Sequence, residues 1–568
     1  MAEGAHGFVG QVVCEEEENV GFLRRCLSSA REGARCDGEC EEYREGVRGF
    51  HKTAGEGFLR VGRRSAEAFG MRGIFPSTLV AVTGSLCVLF AFPAGGWAAA
   101  GEPDAGKAKR NVLFIMADDL RTELGSYGSR ALTPNLDRLA ASSVQFNRMY
   151  TQQAVCNPSR SSMLTGRRPD SLQLWSNGLH FRERNPEVET LPGWFKANGY
   201  TTRCVGKIFH NWHTEVKGDA RAWSAPEFLH YANHGDDRAE GAEGLVNHST
   251  VEDRRYGGMR LCEALDVPDE AYYDGRVARE AVRVLGEVKD APFFLAVGFW
   301  KPHAPFNAPK KYWDLYDPQA FKAFDGRRPV GAPEEAFHQS TEILGPPAKA
   351  KVPSSDEAAE MRRGYFANIS FLDAQVGKVL DALERSGKAE STLVVFLSDH
   401  GYHLGEHTLW GKTSNFELDA RVPCYVRVPG VTKRGERTDS LTELVDVFPT
   451  VARAAGIGLP SGLDGVDLSP VLRDASVRLK DAAFTQHPRP AYFDRQPPRV
   501  PKVMGMSVRT EAVRYTEWRD WASGAVVGAE LYDAKGDVGE TRNVIADEAW
   551  KDRLADARRR LATQFGPR

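Results

Sequence analysis

Four apolar runs each stop at ionisable side chains, and this recurrence constrains the fold more than any other feature of the chain. Asn111–Met116 (NVLFIM) leads to Asp118-Asp119. Tyr200–Val205 leads to Gly206-Lys207, with His210 close behind. Phe293–Phe299 (FFLAVGF) leads to Lys301-Pro302-His303, and Thr392–Leu397 (TLVVFL) leads to Asp399-His400. Continuous apolar runs without alternation belong to strands buried on both faces, which need helices on either side. Helical patterns do fall between the runs. Thr133-Pro134 reads as a helix start, and an amphipathic stripe from about Met361 to Leu383 closes at Gly387. In open parallel α/β sheets, ligands sit beyond the carboxyl ends of the strands. The pattern therefore predicts one crevice that collects Asp118, Asp119, Lys207, His210, His303, Asp399 and His400. A single charged pair is as readily a solvated loop; four recurrences favour a site.

The 568 residues are 42% hydrophobic and 27% charged, with a net charge of −3. That composition excludes wholesale disorder and a general nucleic-acid binder. The N-terminus reads differently from the rest. Leu79–Phe92 (LVAVTGSLCVLFAF) is apolar but shorter than the ~20 residues a spanning helix needs. Arg72 precedes it and Ala98-Ala99-Ala100 follows, the layout of a secretory signal peptide. We read residues 71–100 as that signal, starting at Met71 and cleaved after Ala100. Residues 1–70 are then an over-extended start or a non-functional extension; the alternative is a cytoplasmic extension on an uncleaved anchor. Cys36 and Cys40 have the look of half a zinc site, but no second pair follows. The mature chain is expected to be secreted or periplasmic, with no membrane span. Its cysteines, Cys156, Cys204, Cys262 and Cys424, are spaced in a way that dictates no disulfide.

Three carboxylates and an imidazole at two strand ends suit a divalent cation, Ca²⁺ or Mg²⁺ by oxygen content, Mn²⁺ or Zn²⁺ through the histidine. Cys156-Asn157-Pro158-Ser159-Arg160 reads as a helix start, where free N–H groups and the helix dipole favour an anion. Arg160, four residues on, shares a face with Cys156 and offers a fork to a tetrahedral oxyanion. These residue types point to metal-assisted transfer of a sulfuryl or phosphoryl group.

Cys156–Gly166 (CNPSRSSMLTG) matches the sulfatase motif C-x-P-S-R-x-x-x-L-T-G at every fixed position. The resemblance extends through ADDLR, GKIFH, KPHAPF, SDHGYHLGEH, GKTSN, FTQHPRP and KVMGMSVRT, from about Asn111 to Asn543. Within the sulfatase family the chain looks closest to the iduronate-2-sulfatase group. The resemblance implies an alkaline-phosphatase-like fold: a large mixed sheet sandwiched by helices (residues 105–472), then a smaller C-terminal α+β subdomain (474–568) that shapes the substrate pocket. It implies that a maturation enzyme oxidises Cys156 to Cα-formylglycine, whose hydrate is the nucleophile. It implies one Ca²⁺ held by Asp118, Asp119, Asp399 and His400, joined by the modified Cys156. Arg160 would hold the formylglycine hydroxyl, and Lys207 and Lys412 would clamp the sulfate oxygens. His210 would assist the hydrate, and His303 would protonate the leaving alcohol. His400 departs from the asparagine common in sulfatases but agrees with the iduronate-2-sulfatase group.

The expected substrate is a sulfated carbohydrate, a uronate 2-O-sulfate first. Arg495 and Arg499, in the Pro- and Arg-rich loop Tyr492–Lys502, are candidates for reading its carboxylate. His403 and His407 read as loop structure. The segment between Trp223 and Cys262 departs from the family pattern. Two other readings use the same residues: a phosphate or phosphonate ester hydrolase, and a non-catalytic glycan-binding homologue. N-terminal sequencing of the exported protein is expected to begin near Gly101; residues 1–70 in that product would overturn the signal-peptide reading.

Overall fold

The computed structural model describes residues 109–566, apart from 211–216, 229–236, 289–291, 323 and 496. The proposed signal peptide and the stretch before it lie outside the described residues. The described residues belong to one compact unit, Ala98–Arg568.

A seven-stranded sheet forms the centre. Its strands are β1 (Asn111–Asp118), β2 (Val144–Phe146), β3 (Thr201–Gly206), β4 (Phe293–Pro302), β5 (Thr392–Ser398), β6 (Cys424–Arg427) and β7 (Glu436–Thr438). Their order is β7-β2-β6-β5-β1-β4-β3. The four strands expected from the apolar runs are adjacent and mutually parallel, so their carboxyl ends open on one edge. β6 runs antiparallel to both β5 and β2, which makes the sheet mixed.

The burial pattern explains the apolar runs. On β1, Leu113 and Ile115 face α2 (Tyr273–Glu287) and α3 (Ser355–Arg385). Val112, Phe114 and Met116 face the opposite layer, which holds Met163 and Leu164 of α1 (Cys156–Thr165). Both faces are covered, so alternation vanishes. α3 starts one and a half turns earlier than the apolar stripe suggests. Ser354 and Glu357 form a capping box: the Ser354 hydroxyl accepts from the Glu357 N–H, and the Glu357 carboxylate accepts from the Ser354 N–H.

The C-terminal part is an antiparallel meander, β8 (Ala482–Arg489), β9 (Val503–Thr510), β10 (Val513–Asp520) and β11 (Val526–Asp533). Helix α4 (Lys551–Phe565) packs Ala557 and Leu561 against Met504, Met506 and Val508. β8 abuts the segment before α1: the Gln486 N–H donates to the Gln152 carbonyl at 2.9 Å, and the Thr485 hydroxyl donates to the Thr151 carbonyl at 2.8 Å. Cys156, Cys204, Cys262 and Cys424 are all buried and unbridged. Among the described residues, no helix is long and apolar enough to cross a membrane.

One glycine contact places a site residue. The Lys207 N–H donates to the Gly298 carbonyl at 2.8 Å, where the chain leaves β3 and passes over β4. A Cβ on Gly298 would lie 1.8 Å from the Lys207 carbonyl oxygen. Both groups are backbone, so the chain itself would have to move. Overpacking a buried site costs about 1–3 kcal/mol. Gly298→Ala is expected to lower stability by at least that amount in chemical denaturation, and an unchanged midpoint would contradict this packing.

Candidate active site

The crevice at the carboxyl edge gathers the expected residues. Asp118 closes β1 after a register shift against β4, and Asp119 follows in a left-handed conformation, φ 63°. Cys156 is the first residue of α1. Its Sγ lies 3.5 Å from Asp118 Oδ1 and 3.4 Å from His400 Nε2. One donor atom from each of Asp118, Asp119, Cys156 and His400 falls within a 4.8 Å cluster. Asp399 stands beside that cluster rather than in it. Its Oδ1 accepts from the backbone N–H groups of His400 (2.9 Å) and Asp119 (3.3 Å), and its Oδ2 accepts from Arg160 Nε at 2.7 Å.

Arg160 is fully buried and joins four segments. Besides Asp399, its Nη1 donates to the carbonyls of Lys207 (2.7 Å) and Ile208 (3.1 Å), and its Nη2 lies 3.6 Å from Asp118 Oδ1. Lys207 Nζ donates to Asp118 Oδ2. Lys412 Nζ donates to both Asp119 oxygens at 3.0 Å and to Glu342 Oε1 at 2.8 Å. His303 turns Nδ1 to the Ala304 carbonyl, 2.6 Å away. Its Nε2 faces Asp119 Oδ2 (3.8 Å) and Glu342 Oε1 (3.6 Å). His210 is buried just beyond Lys207.

The charges decide what each group can do. Burial alone would raise the Asp118 carboxyl, but Lys207 and Arg160 hold it well below the usual range. Burial wins at Asp119, aided by the Asp118 charge, and lifts its carboxyl well above that range despite Lys412. Burial, reinforced by Asp118, pushes the Cys156 thiol up to about 12. A helix N-terminus normally favours a thiolate; here desolvation and a neighbouring carboxylate outweigh it. An unmodified Cys156 is a protonated thiol at neutral pH and a weak nucleophile. The donor set fits a divalent cation: carboxylate oxygens and one imidazole nitrogen converge in a buried pocket. Two lysine ammonium groups already lie on those carboxylates, so the pocket favours positive charge.

Sequence reasoning missed Glu342, which sits in the one-turn helix Thr341–Leu344. Besides Lys412, it accepts from the Tyr492 hydroxyl (2.7 Å) and the Tyr256 hydroxyl (3.2 Å). No motif surrounds it, and its partners come from distant segments. Tyr492 also carries the Arg495 guanidinium on its ring face, 4.0 Å from the centroid. Arg495 is therefore one residue removed from the crevice. Arg499 is exposed, and among the described residues no hydrogen bond or ion pair ties it to this chain of contacts. His403 and His407 lie apart from the cluster. His403 Nδ1 pairs with Asp419 Oδ1 at 2.7 Å, and His407 Nε2 meets the Gly539 carbonyl at 2.8 Å.

Comparison with known proteins agrees with this geometry. The sulfatase family model matches residues 110–457, and the N-sulphoglucosamine sulphohydrolase C-terminal model matches residues 405–565. The chain is 35% identical to mouse (Mus musculus) iduronate 2-sulfatase over 473 residues, covering 72% of this chain and 84% of that protein. It is 31% identical to choline-sulfatase of Rhizobium meliloti, covering 64% and 72% respectively. Among solved structures, phosphonate monoester hydrolase of Agrobacterium radiobacter superposes with a TM-score of 0.65 at 24% identity, covering 80% of this chain and 95% of that one. A structure solved in complex with D-glucosamine-2-N,6-O-disulfate superposes with a TM-score of 0.60 at 20% identity, covering 80% and 97%. The fold is the alkaline-phosphatase-like one that the motifs implied, and the chain belongs to the sulfatase family of sulfuric ester hydrolases.

Proposed function

We propose that this sulfatase is exported and hydrolyses sulfate esters of a glycan, with a uronate 2-O-sulfate as its substrate. The observation that carries this reading is the convergence on Cys156 of the Asp118, Asp119 and His400 donors with the Lys207 and Lys412 ammonium groups. The likeness to iduronate 2-sulfatases supports the sugar. Asp118, Asp119, Asp399 and His400 are the residues that would hold Ca²⁺. Formylglycine, which a maturation enzyme would make from Cys156, would as its hydrate supply the attacking oxygen, and Ca²⁺ would supply positive charge beside the sulfate.

The remaining work belongs to the chain's own side chains. Lys207 and Lys412 hold sulfate oxygens, where fixed cations stabilise developing charge. Arg160 keeps Asp399 and the start of α1 in place. His210 would assist the hydrate at residue 156, and His303 delivers a proton from Nε2 to the leaving oxygen. Burial and the Lys412 ammonium together hold His303 well below the usual histidine range. A sulfate anion bound between them counters the lysine charge and favours the imidazolium that a general acid requires. Arg495 and Arg499 read the uronate carboxylate at the rim.

Mass spectrometry of the active-site peptide is expected to show about 18 Da less than the cysteine form, a covalent change that contacts cannot mimic. An unmodified peptide in active enzyme would overturn the nucleophile. Activity on p-nitrophenyl sulfate should exceed that on the phosphate; the reverse preference would favour a phosphate or phosphonate esterase.

Asp118→Ala and Asp399→Ala are each expected to abolish turnover, and chelation to reduce it. Full activity in either variant would refute the metal assignment.

A sugar alkoxide leaves poorly without a proton, whereas nitrophenolate leaves unaided. His303→Ala should therefore lose about 10²–10⁴-fold on a sulfated sugar and clearly less on the aryl sulfate. Equal losses would make His303 a sulfate ligand instead. Arg495→Ala and Arg499→Ala should raise KM for the uronate substrate alone.

A further inference from the structure

Arg489, the last residue of β8, is a buried cation spent mainly on backbone carbonyls. Its Nε donates to the Glu335 carbonyl at 2.8 Å and its Nη2 to the Ala336 carbonyl at 2.9 Å. Its Nη1 donates to the carbonyls of Thr413 (2.9 Å) and Pro488 (3.1 Å) and lies 3.4 Å from His487 Nδ1. The guanidinium stacks on Trp518, 4.7 Å from the ring centroid. Among the described residues, no carboxylate forms an ion pair with it. A charge buried without a direct ion pair is costly, and the carboxylates of Glu530, Asp419 and Glu335 offset that cost only in part. What Arg489 holds must therefore matter.

One of its partners is strained. Thr413 has φ +87°, a left-handed conformation that a β-branched residue adopts only under constraint. The constraint comes from both sides. The Thr413 N–H donates to the Ala154 carbonyl at 3.0 Å, two residues before Cys156. Its carbonyl is held by Arg489. Beyond it, Ser414 is fixed by Asp419, which accepts from the Ser414 N–H (2.9 Å) and hydroxyl (2.6 Å). The residue before the strained one is Lys412. Relaxing Thr413 to negative φ would rotate the peptide that carries Lys412 and swing its ammonium away from Asp119.

We propose that Arg489 is a positioning residue that clamps the Thr413 carbonyl and so keeps the strained turn that aims Lys412 into the crevice. This rests on the reading above, that Lys412 holds the sulfate. Strain stored beside an active site is kept only where surrounding contacts over-determine it. Arg489 grips the Thr413 carbonyl from the C-terminal sheet, and Asn415 Nδ2, two residues on, donates to the Gly505 carbonyl of the same sheet at 3.3 Å, so that sheet helps to set the sulfate clamp.

The test uses the full matured enzyme, with p-nitrophenyl sulfate as substrate and inorganic sulfate as a competing anion. Arg489→Met keeps the length and the contact with Trp518 but donates nothing. It is expected to fold with a lowered thermal midpoint, because the Glu335, Ala336 and Thr413 carbonyls lose their donor, to lose about 10²-fold in kcat/KM through misplacement of Lys412, and to weaken sulfate inhibition. Glycine adopts positive φ without strain. Adding Thr413→Gly to Arg489→Met should therefore recover about tenfold or more of both losses. A purely structural role for Arg489 would not be rescued by a glycine at that position. Wild-type kinetics in Arg489→Met, or no recovery in the double variant, would overturn the proposal. Should Arg489→Met fold poorly, Arg489→Lys keeps the charge but loses the fork, and the same glycine rescue applies. Lys412→Ala separates the two readings. If it leaves sulfate inhibition intact, Lys412 is not the clamp. If it abolishes inhibition while Arg489→Met does not, the clamp stands and the positioning role falls.

Discussion

The buried pair between Arg160 and Asp399 is the interaction on which the rest of the site depends. It ties the start of α1 to the end of β5, and the same guanidinium holds the two carbonyls that follow β3. Two charges out of water gain little net stability as a pair, but removing one partner leaves an uncompensated charge that costs about 3–5 kcal/mol. The pair is thus a poor stabiliser and a strong specifier. It also explains why Asp399 stands slightly outside the cluster of Asp118, Asp119, Cys156 and His400: each of its oxygens is already engaged by the scaffold.

Cys156 shows how two opposing electrostatic effects resolve. A helix N-terminus draws negative charge, and a free thiol placed there in water would ionise more readily. Here the sulfur is fully enclosed and faces a carboxylate, and both push the other way. The pocket favours cations elsewhere, yet keeps this thiol neutral. That combination suits a residue whose chemistry comes from modification rather than from its own thiolate.

The parts of the fold that were legible in the sequence are those with two covered faces. β1, β4 and β5 appear as unbroken apolar runs because helices lie on both sides, β3 at the sheet edge carries Thr201, Thr202 and Arg203 among its residues, and the polar ends of all four mark the crevice. The short strands Val144–Phe146 and Glu436–Thr438 carry too little pattern to be read. The start of α3 was legible in principle, since Ser354 and Glu357 have the spacing of a capping box, but the apolar stripe begins later. Glu342 and Arg489 were not legible as site residues. Glu342 acts through side chains 70 to 150 positions away and Arg489 largely through backbone carbonyls, and neither kind of contact leaves a local trace. Arg495 and Arg499 look alike in the loop, yet only Arg495 stacks on a tyrosine that reaches the crevice.

The catalytic candidates and the rim are built on different kinds of structure. Asp118, Lys207, His303 and Asp399 follow directly from the ends of buried parallel strands. Tyr256, Glu342, Tyr492 and Arg495 come from a short hairpin, a single helical turn and a Pro-rich loop. Strand ends are fixed by the core, whereas loops tolerate insertion and exchange. Rewriting those loops can therefore change what the crevice accepts while leaving the strand ends, and the charged groups they carry, where the sheet puts them.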